Sequence, residues 1–135
     1  MKKIIFVNGC FDLLHIGHIK LLKEAKKLAG NGKVIVAINS DKSRVEWGRR
    51  KPVIPAKERK EMLLATKYVD EVIIHKESSV YNTIKKIMPD IIVKGSDWKG
   101  NVVGQDLCKV YLVKRRKDYS TTKIIKKIRN LKVWK

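Results

Sequence analysis

Cysteine, aromatic residues and acidic residues are all scarce in this chain, and each scarcity excludes something. The two cysteines, Cys10 and Cys108, stand far apart with no CxxC spacing, so neither a disulfide framework nor a cysteine zinc cluster is expected and both read as reduced thiols. No run approaches the ~18 to 20 consecutive apolar residues that span a bilayer. Met1 to Val7 pass too quickly into charge and turn to form a secretory signal, so the expected location is the cytoplasm, with no membrane partner. The GxGxxG of dinucleotide-binding domains is missing after the first strand-like run, and so is the GxxxxGK[ST] of P-loop enzymes. Aromatics make up only 7% of residues, too few for the stacking platforms that hold single-stranded nucleic acid.

Basic residues are abundant: 32 Lys and Arg against 13 Asp and Glu leave a net charge of +19. Such a field attracts phosphates of any kind. The lysines are scattered over stretches that read as exposed helix faces, such as Lys20 to Lys27 and Lys123 to Lys127, which is the pattern of a solvated surface. With no recognisable DNA- or RNA-binding motif, a basic nucleic-acid-binding module is the alternative reading and nucleic acid is not an expected partner.

Short Val/Ile-rich runs at Lys3 to Val7, Val34 to Ile38, Glu71 to Ile74, Asp90 to Val93 and Val110 to Val113 predict five buried strands. Between them apolar residues recur at helical spacing: Ile19, Leu22 and Ala25, then Met62, Leu63 and Ala65, then Val80, Ile84 and Ile87. Gly30 and Gly32 end the first helix, Pro55 precedes the second and Pro89 stops the third. Alternating strands and helices predict an α/β fold in which a five-stranded parallel sheet is doubly wound, forming a single domain over residues 1–135. Ligands of such sheets bind beyond the carboxyl ends of the strands, where strand order reverses. The loops Asn8 to His18, Asn39 to Arg50, Lys94 to Trp98 and Lys114 to Thr122 are therefore where chemistry is expected.

The first of these loops carries His15 and His18 three residues apart, with Gly17 between them, at the start of a helix. Free backbone N–H groups there favour an anion, Gly17 permits close approach of a phosphate, and the imidazoles add donors. That combination stabilises charge developing on a phosphoryl group without a covalent nucleophile. Two histidines could equally begin a zinc site, but it would want a third or fourth ligand, and His75 is the only other histidine. Near the other end, Ser120, Thr121 and Thr122 open the last helix; alone they would read as N-capping, yet hydroxyls and N–H groups at a helix start also suit phosphate oxygens.

Gly9-Cys10-Phe11-Asp12 followed by His15-Ile16-Gly17-His18 resembles the signature of the cytidylyltransferase-like nucleotidylyltransferases, whose HxGH motif is shared with class I aminoacyl-tRNA synthetases. Tyr119-Ser120-Thr121-Thr122-Lys123-Ile124-Ile125 looks like the second signature of that family. Lys51 to Pro55 with Arg59, and Ile92 to Trp98, look like its middle segments, so the resemblance runs from about Lys3 to Ile128. It implies a Rossmann-like fold of the HUP type and an enzyme that joins a nucleoside monophosphate to a small phosphorylated acceptor.

By resemblance, His15 and His18 are catalytic and contact the triphosphate, with Cys10 and Phe11 lending backbone to the same cradle. Arg59 with Ser120, Thr121 and Thr122 would hold the β- and γ-phosphates, while Gly95, Asp97 and Trp98 shape the nucleoside pocket. Asp12 lies where the family keeps an aspartate near the acceptor or metal; Lys42, Arg44 and Arg49 are all candidates for the acceptor phosphate, and Arg115 or Arg116 for another phosphate contact. No carboxylate cluster offers a dedicated metal site, so magnesium is expected on the triphosphate, held by phosphate oxygens and water. Within the family the chain looks most like the adenylyltransferase domain of ADP-heptose synthases, through such segments as Ala37 to Asp41 and Pro89 to Gly95, although Ser96 and Trp98 replace the usual Gly and Tyr. Glycerol-3-phosphate cytidylyltransferases, matched at His18 to Leu22 and Asp97 to Gly100, are the next resemblance. The expected nucleotide is ATP or CTP, and the expected assembly a homodimer with exposed Trp47 and Trp134 as candidate contacts.

Overall fold

The computed structural model describes residues 2–114 and 119–132. Each Val/Ile run becomes a strand: β1 (Ile4–Gly9), β2 (Lys33–Asn39), β3 (Glu71–His75), β4 (Ile91–Gly95) and β5 (Lys109–Val113). They form one sheet of order β3-β2-β1-β4-β5 in which every pairing is parallel. Helices α1 (Ile16–Ala29), α2 (Asp41–Glu46), α3 (Ala56–Leu64), α4 (Val80–Ile87) and α5 (Thr121–Arg129) fill the connections. The expected doubly wound α/β architecture is the one observed.

Two cores follow from the alternation of side chains along buried strands. On one face, Ile5 and Val7 of β1 and Val34, Val36 and Ile38 of β2 pack with Leu22, Ala25 and Ala29 of α1 and Leu63 of α3. On the other, Phe6, Ile35, Ala37 and Ile92 pack with Val80 and Ile84 of α4. Phe6 and Leu22 are both 0% exposed, and burial on this scale contributes about 1.5 to 3 kcal/mol per large side chain.

Pro55 is the N-cap of α3, and Met88, in the left-handed region just before Pro89, caps α4. The short helix α2 was not predicted, because Asp41 to Glu46 carries no apolar stripe. Local chemistry makes it instead: Ser40 Oγ accepts from the N–H of Ser43 at 3.1 Å, and Asp41 occupies the first turn. Helix α5 has no fully buried residue, and Ile124 and Ile125 are half-buried. Among the described residues no helix is long and apolar enough to cross a membrane.

Candidate active site

From β1 the chain adds β2 and β3 on one side of the sheet, and later β4 and β5 on the other. The loops leaving the carboxyl ends of β1 and β4 therefore diverge, and the crevice between them is the ligand position of such sheets. A cleft of about 590 Å³ lies there, walled by the loop after β1, the α2 region, the turn after β4 and the start of α5.

The loop after β1 is pinned by a carboxylate. Asp12 is 2% exposed, with Oδ1 accepting from the N–H of Ile54 at 2.9 Å and Oδ2 from the N–H of Val53 at 2.8 Å and from Arg50 Nη1 at 3.0 Å. Burial pushes its carboxyl up, but the N–H groups of Ile54 and Val53 and the Arg50 guanidinium outweigh this and hold it below the ordinary carboxylate range. On either side Phe11 and Leu13 have φ of 53° and 52°, a left-handed geometry that costs side-chain-bearing residues energy and that the Asp12 anchor sustains.

Both histidines of the motif are locked by backbone donors. The N–H of Gly17 donates to His15 Nδ1 at 3.0 Å, and the N–H of His15 donates to His18 Nδ1 at 3.1 Å. An N–H can only donate, so each neutral ring must carry its proton on Nε2. The rings are tilted against each other with centroids 3.8 Å apart, and Phe11 packs on His18 at 5.1 Å. Gly17 has a specific steric reason: a Cβ there would lie 2.8 Å from His15 Cε1 and 3.3 Å from Tyr119 Cβ.

The hydroxyl-rich turn meets this loop across 109 residues of sequence, since Thr121 Oγ1 donates to the carbonyl of Asp12 at 2.7 Å. Ser120 is the N-cap of α5, its Oγ accepting from the N–H of Lys123 at 3.0 Å. Ser120, Thr121 and Thr122 all line the cleft with His15 and His18. At the floor, Lys94 Nζ donates to the carbonyl of Asn8 at 2.8 Å and stands 4.6 Å from the centroid of the Trp98 ring. Desolvation lowers its ammonium to about 8, against the opposing pull of Glu77 and Asp97. Burial raises the Cys10 thiol despite Arg44 and Arg59 nearby, so Cys10 is no thiolate nucleophile.

The model of the cytidylyltransferase-like family matches residues 6–127. The chain belongs to that family. As a cytidylyltransferase-like protein it is a nucleotidyltransferase, with the Rossmann-like fold of the HUP type. The bifunctional protein HldE of a Nitratiruptor species is 44% identical over 133 residues, covering 96% of this chain and 28% of that protein. HldE of Campylobacter jejuni subsp. doylei is 45% identical over 134 residues, covering 97% of this chain and 29% of that protein. The chain thus spans less than a third of the length of these relatives. Among solved structures, a lipopolysaccharide core biosynthesis protein from Thermoplasma volcanium superposes with a TM-score of 0.70 at 28% identity, over 89% of this chain and 100% of the other. A pantothenate synthetase from Thermus thermophilus, at TM-score 0.60 and 16% identity over 84% of this chain and 56% of the other, shares the fold.

Most residues singled out in this nucleotidyltransferase's sequence line the one cleft: Cys10, Phe11, Asp12, His15, Gly17 and His18 from the first loop, Arg44 from α2, Gly95, Asp97 and Trp98 after β4, and the three hydroxyl residues. The structure places four of these groups otherwise than expected. Arg59 does not reach the cleft: it is 1% exposed and donates to the carbonyls of Ile54, Cys10 and Asn39 and to Asp41 Oδ1, all within 2.9 Å. Its spacing from Ala56 and Leu63, the other buried positions of α3, is the signal that it faces inward. Lys42 is exposed and off the cleft wall, whereas Arg44 lies on it, with Nε buried and without a partner among the described residues. Asp12 lines the cleft, where its carboxylate anchors the Arg50 to Ile54 segment. The N–H groups of His15 and Gly17 are not open to an anion either, since the imidazoles take them.

Sequence reading assigned no role to Lys94, Arg50 or Tyr119. Arg50 donates to Asp12, and Tyr119 packs against Gly17. Arg115 and Arg116 lie outside the described residues. Among those described, no group of three His, Cys, Asp or Glu is placed to hold a metal ion.

Proposed function

We propose that this nucleotidyltransferase moves AMP from ATP onto heptose 1-phosphate and releases pyrophosphate. The observation that carries the reading is the meeting of the two signature segments: Thr121 bonds to the Asp12 carbonyl, and both segments line one cleft. The likeness to HldE over nearly the whole chain supports the choice of nucleotide and acceptor, given the resemblance to the adenylyltransferase domain of ADP-heptose synthases.

In this mechanism an acceptor phosphate oxygen attacks the α-phosphorus in line, an O–P bond forms, and the bond from the α-phosphorus to the bridging oxygen of the leaving pyrophosphate breaks. Both reactants are anions, so the protein supplies alignment and positive field more than covalent chemistry. His15 and His18, each fixed as an Nε2–H donor, stabilise charge on the phosphate chain. Thr122 and the start of α5 receive the terminal phosphates, and Arg44 receives the acceptor phosphate. Magnesium would accompany the triphosphate and neutralise part of its charge, held by phosphate oxygens and water. The reading includes a cytoplasmic homodimer in which Trp47, 59% exposed, is a contact candidate; Trp134 lies outside the described residues.

The test is pyrophosphate release from ATP, CTP, GTP and UTP, each against heptose 1-phosphate and glycerol 3-phosphate. ATP with heptose 1-phosphate is expected to give the highest kcat/KM. Release only from CTP with glycerol 3-phosphate would replace both substrates, and release from no pair would overturn the reading.

A further inference from the structure

Lys94 is half-buried in the cleft, and its ammonium, with three N–H groups to place, has one acceptor among the described residues, the carbonyl of Asn8. None of the ion pairs there includes it. The carboxylates that act on its charge come from two sides of the cleft. Asp97 lies in the turn after β4, where the nucleoside is proposed to sit, while Glu77 follows β3 and lies 3.9 Å from Arg44, on the proposed acceptor side. The ammonium thus stands between the two substrate regions, tethered to the end of the central strand and faced by the Trp98 ring.

We propose that Lys94 contacts substrate directly, giving its remaining N–H groups to phosphoryl oxygens where nucleotide and acceptor meet. The proposal rests on the nucleotidyl-transfer reading above. Its physical content is a charge that the protein alone holds poorly and that a phosphate would secure. Free, the group titrates near 8 because desolvation lowers it, with Glu77 and Asp97 opposing. Arg44 from α2 and the two histidines across the cleft add no negative charge, and the groups from β1 and β3, Asn8 and His75, pair with each other through the Asn8 side chain. Only the protonated form offers a phosphate full donors and charge, so affinity should fall as pH rises through 8. A lysine that merely tied β1 to β4 would give stability and no such ligand dependence.

The experiment is calorimetric titration of the full chain with ATP and, separately, with heptose 1-phosphate, between pH 6.5 and 9.5, for wild type, Lys94→Met and Lys94→Arg, with melting temperatures alongside. For the ligand whose phosphate Lys94 touches, wild-type affinity is expected to fall roughly 10- to 30-fold from pH 7 to 9.5. Lys94→Met should bind that ligand roughly 10-fold or more weakly at pH 7 and lose the step. Lys94→Arg, which cannot titrate in this range, should bind it without the step. The ligand that shows the step identifies which phosphate is touched. Wild-type affinity in Lys94→Met, or a wild-type pH step in either variant, overturns the proposal. If Lys94→Met does not fold, Lys94→Arg decides alone. Binding of neither ligand to the wild type would sink the nucleotidyl-transfer reading, and the proposal with it.

Discussion

His18 does two jobs with two nitrogens: Nδ1 accepts from the His15 N–H at the start of α1, which leaves Nε2–H as its donor. His18→Ala should therefore lose about 1 kcal/mol of cap energy and lower turnover roughly 100-fold or more. Urea unfolding and steady-state kinetics separate the two, and wild-type turnover would remove His18 from the mechanism. The pairing was legible in the sequence as a candidate, two imidazoles around a glycine at a helix start. The reason for that glycine was not. It makes room for the His15 ring and for Tyr119, a residue 102 positions further along the chain. No local pattern reveals a contact at that separation.

Elements are where local sequence spoke most clearly. Runs of β-branched residues set the five strands, and Pro55 and Pro89 mark helix boundaries. Arg59 shows the limit of that reading: a motif resemblance pointed it at phosphate, yet it ties the ends of β1 and β2 to the entry of α3 through three carbonyls and Asp41. Asp41 in turn accepts from the N–H of Ala56, so loss of the guanidinium would strand acceptors in several elements at once. Arg59→Met is expected to destabilise by about 3 kcal/mol or more, measured by denaturant unfolding. An unchanged midpoint together with a raised nucleotide KM would restore the phosphate role. Gly104 is a second such junction: at φ of +89°, a Cβ would lie 2.8 Å from Ile84 Cδ1 and 3.0 Å from Ile92 Cδ1. Gly104→Val should cost about 1 to 3 kcal/mol through backbone strain and overpacking of the α4 core, seen as a lower melting temperature with nucleotide affinity kept.

Over the whole molecule the net charge of +19 works against compactness, and the few carboxylates matter more for that. Asp12 and Asp70 are both held below the ordinary range. At Asp70 burial is outweighed by the N–H of Val34 and the Lys26 ammonium. Folding lowers the proton affinity of each, so the stability they contribute is fully present above the ordinary carboxylate value, near 4, and drains away as pH falls through the lower folded-state values. The melting temperature should drop steeply below pH ~4, and Asp12→Asn should lose the share of that slope due to Asp12; an unaltered slope would show that the anchor does not titrate with folding. By itself the sequence determined the strands, the alternating layers and the two signature segments of the family, because burial period, helix breakers and motif residues are written in neighbouring positions. Tertiary structure alone decided which polar groups stay open in the cleft. Arg59 is used up on Cys10 49 residues away, Asp12 on Val53 and Ile54 further along the chain, and Lys94 is set on Asn8 86 residues back with donors to spare among the described residues. A side chain's chemistry is local, but its partners are fixed only when the sheet brings distant chain ends together.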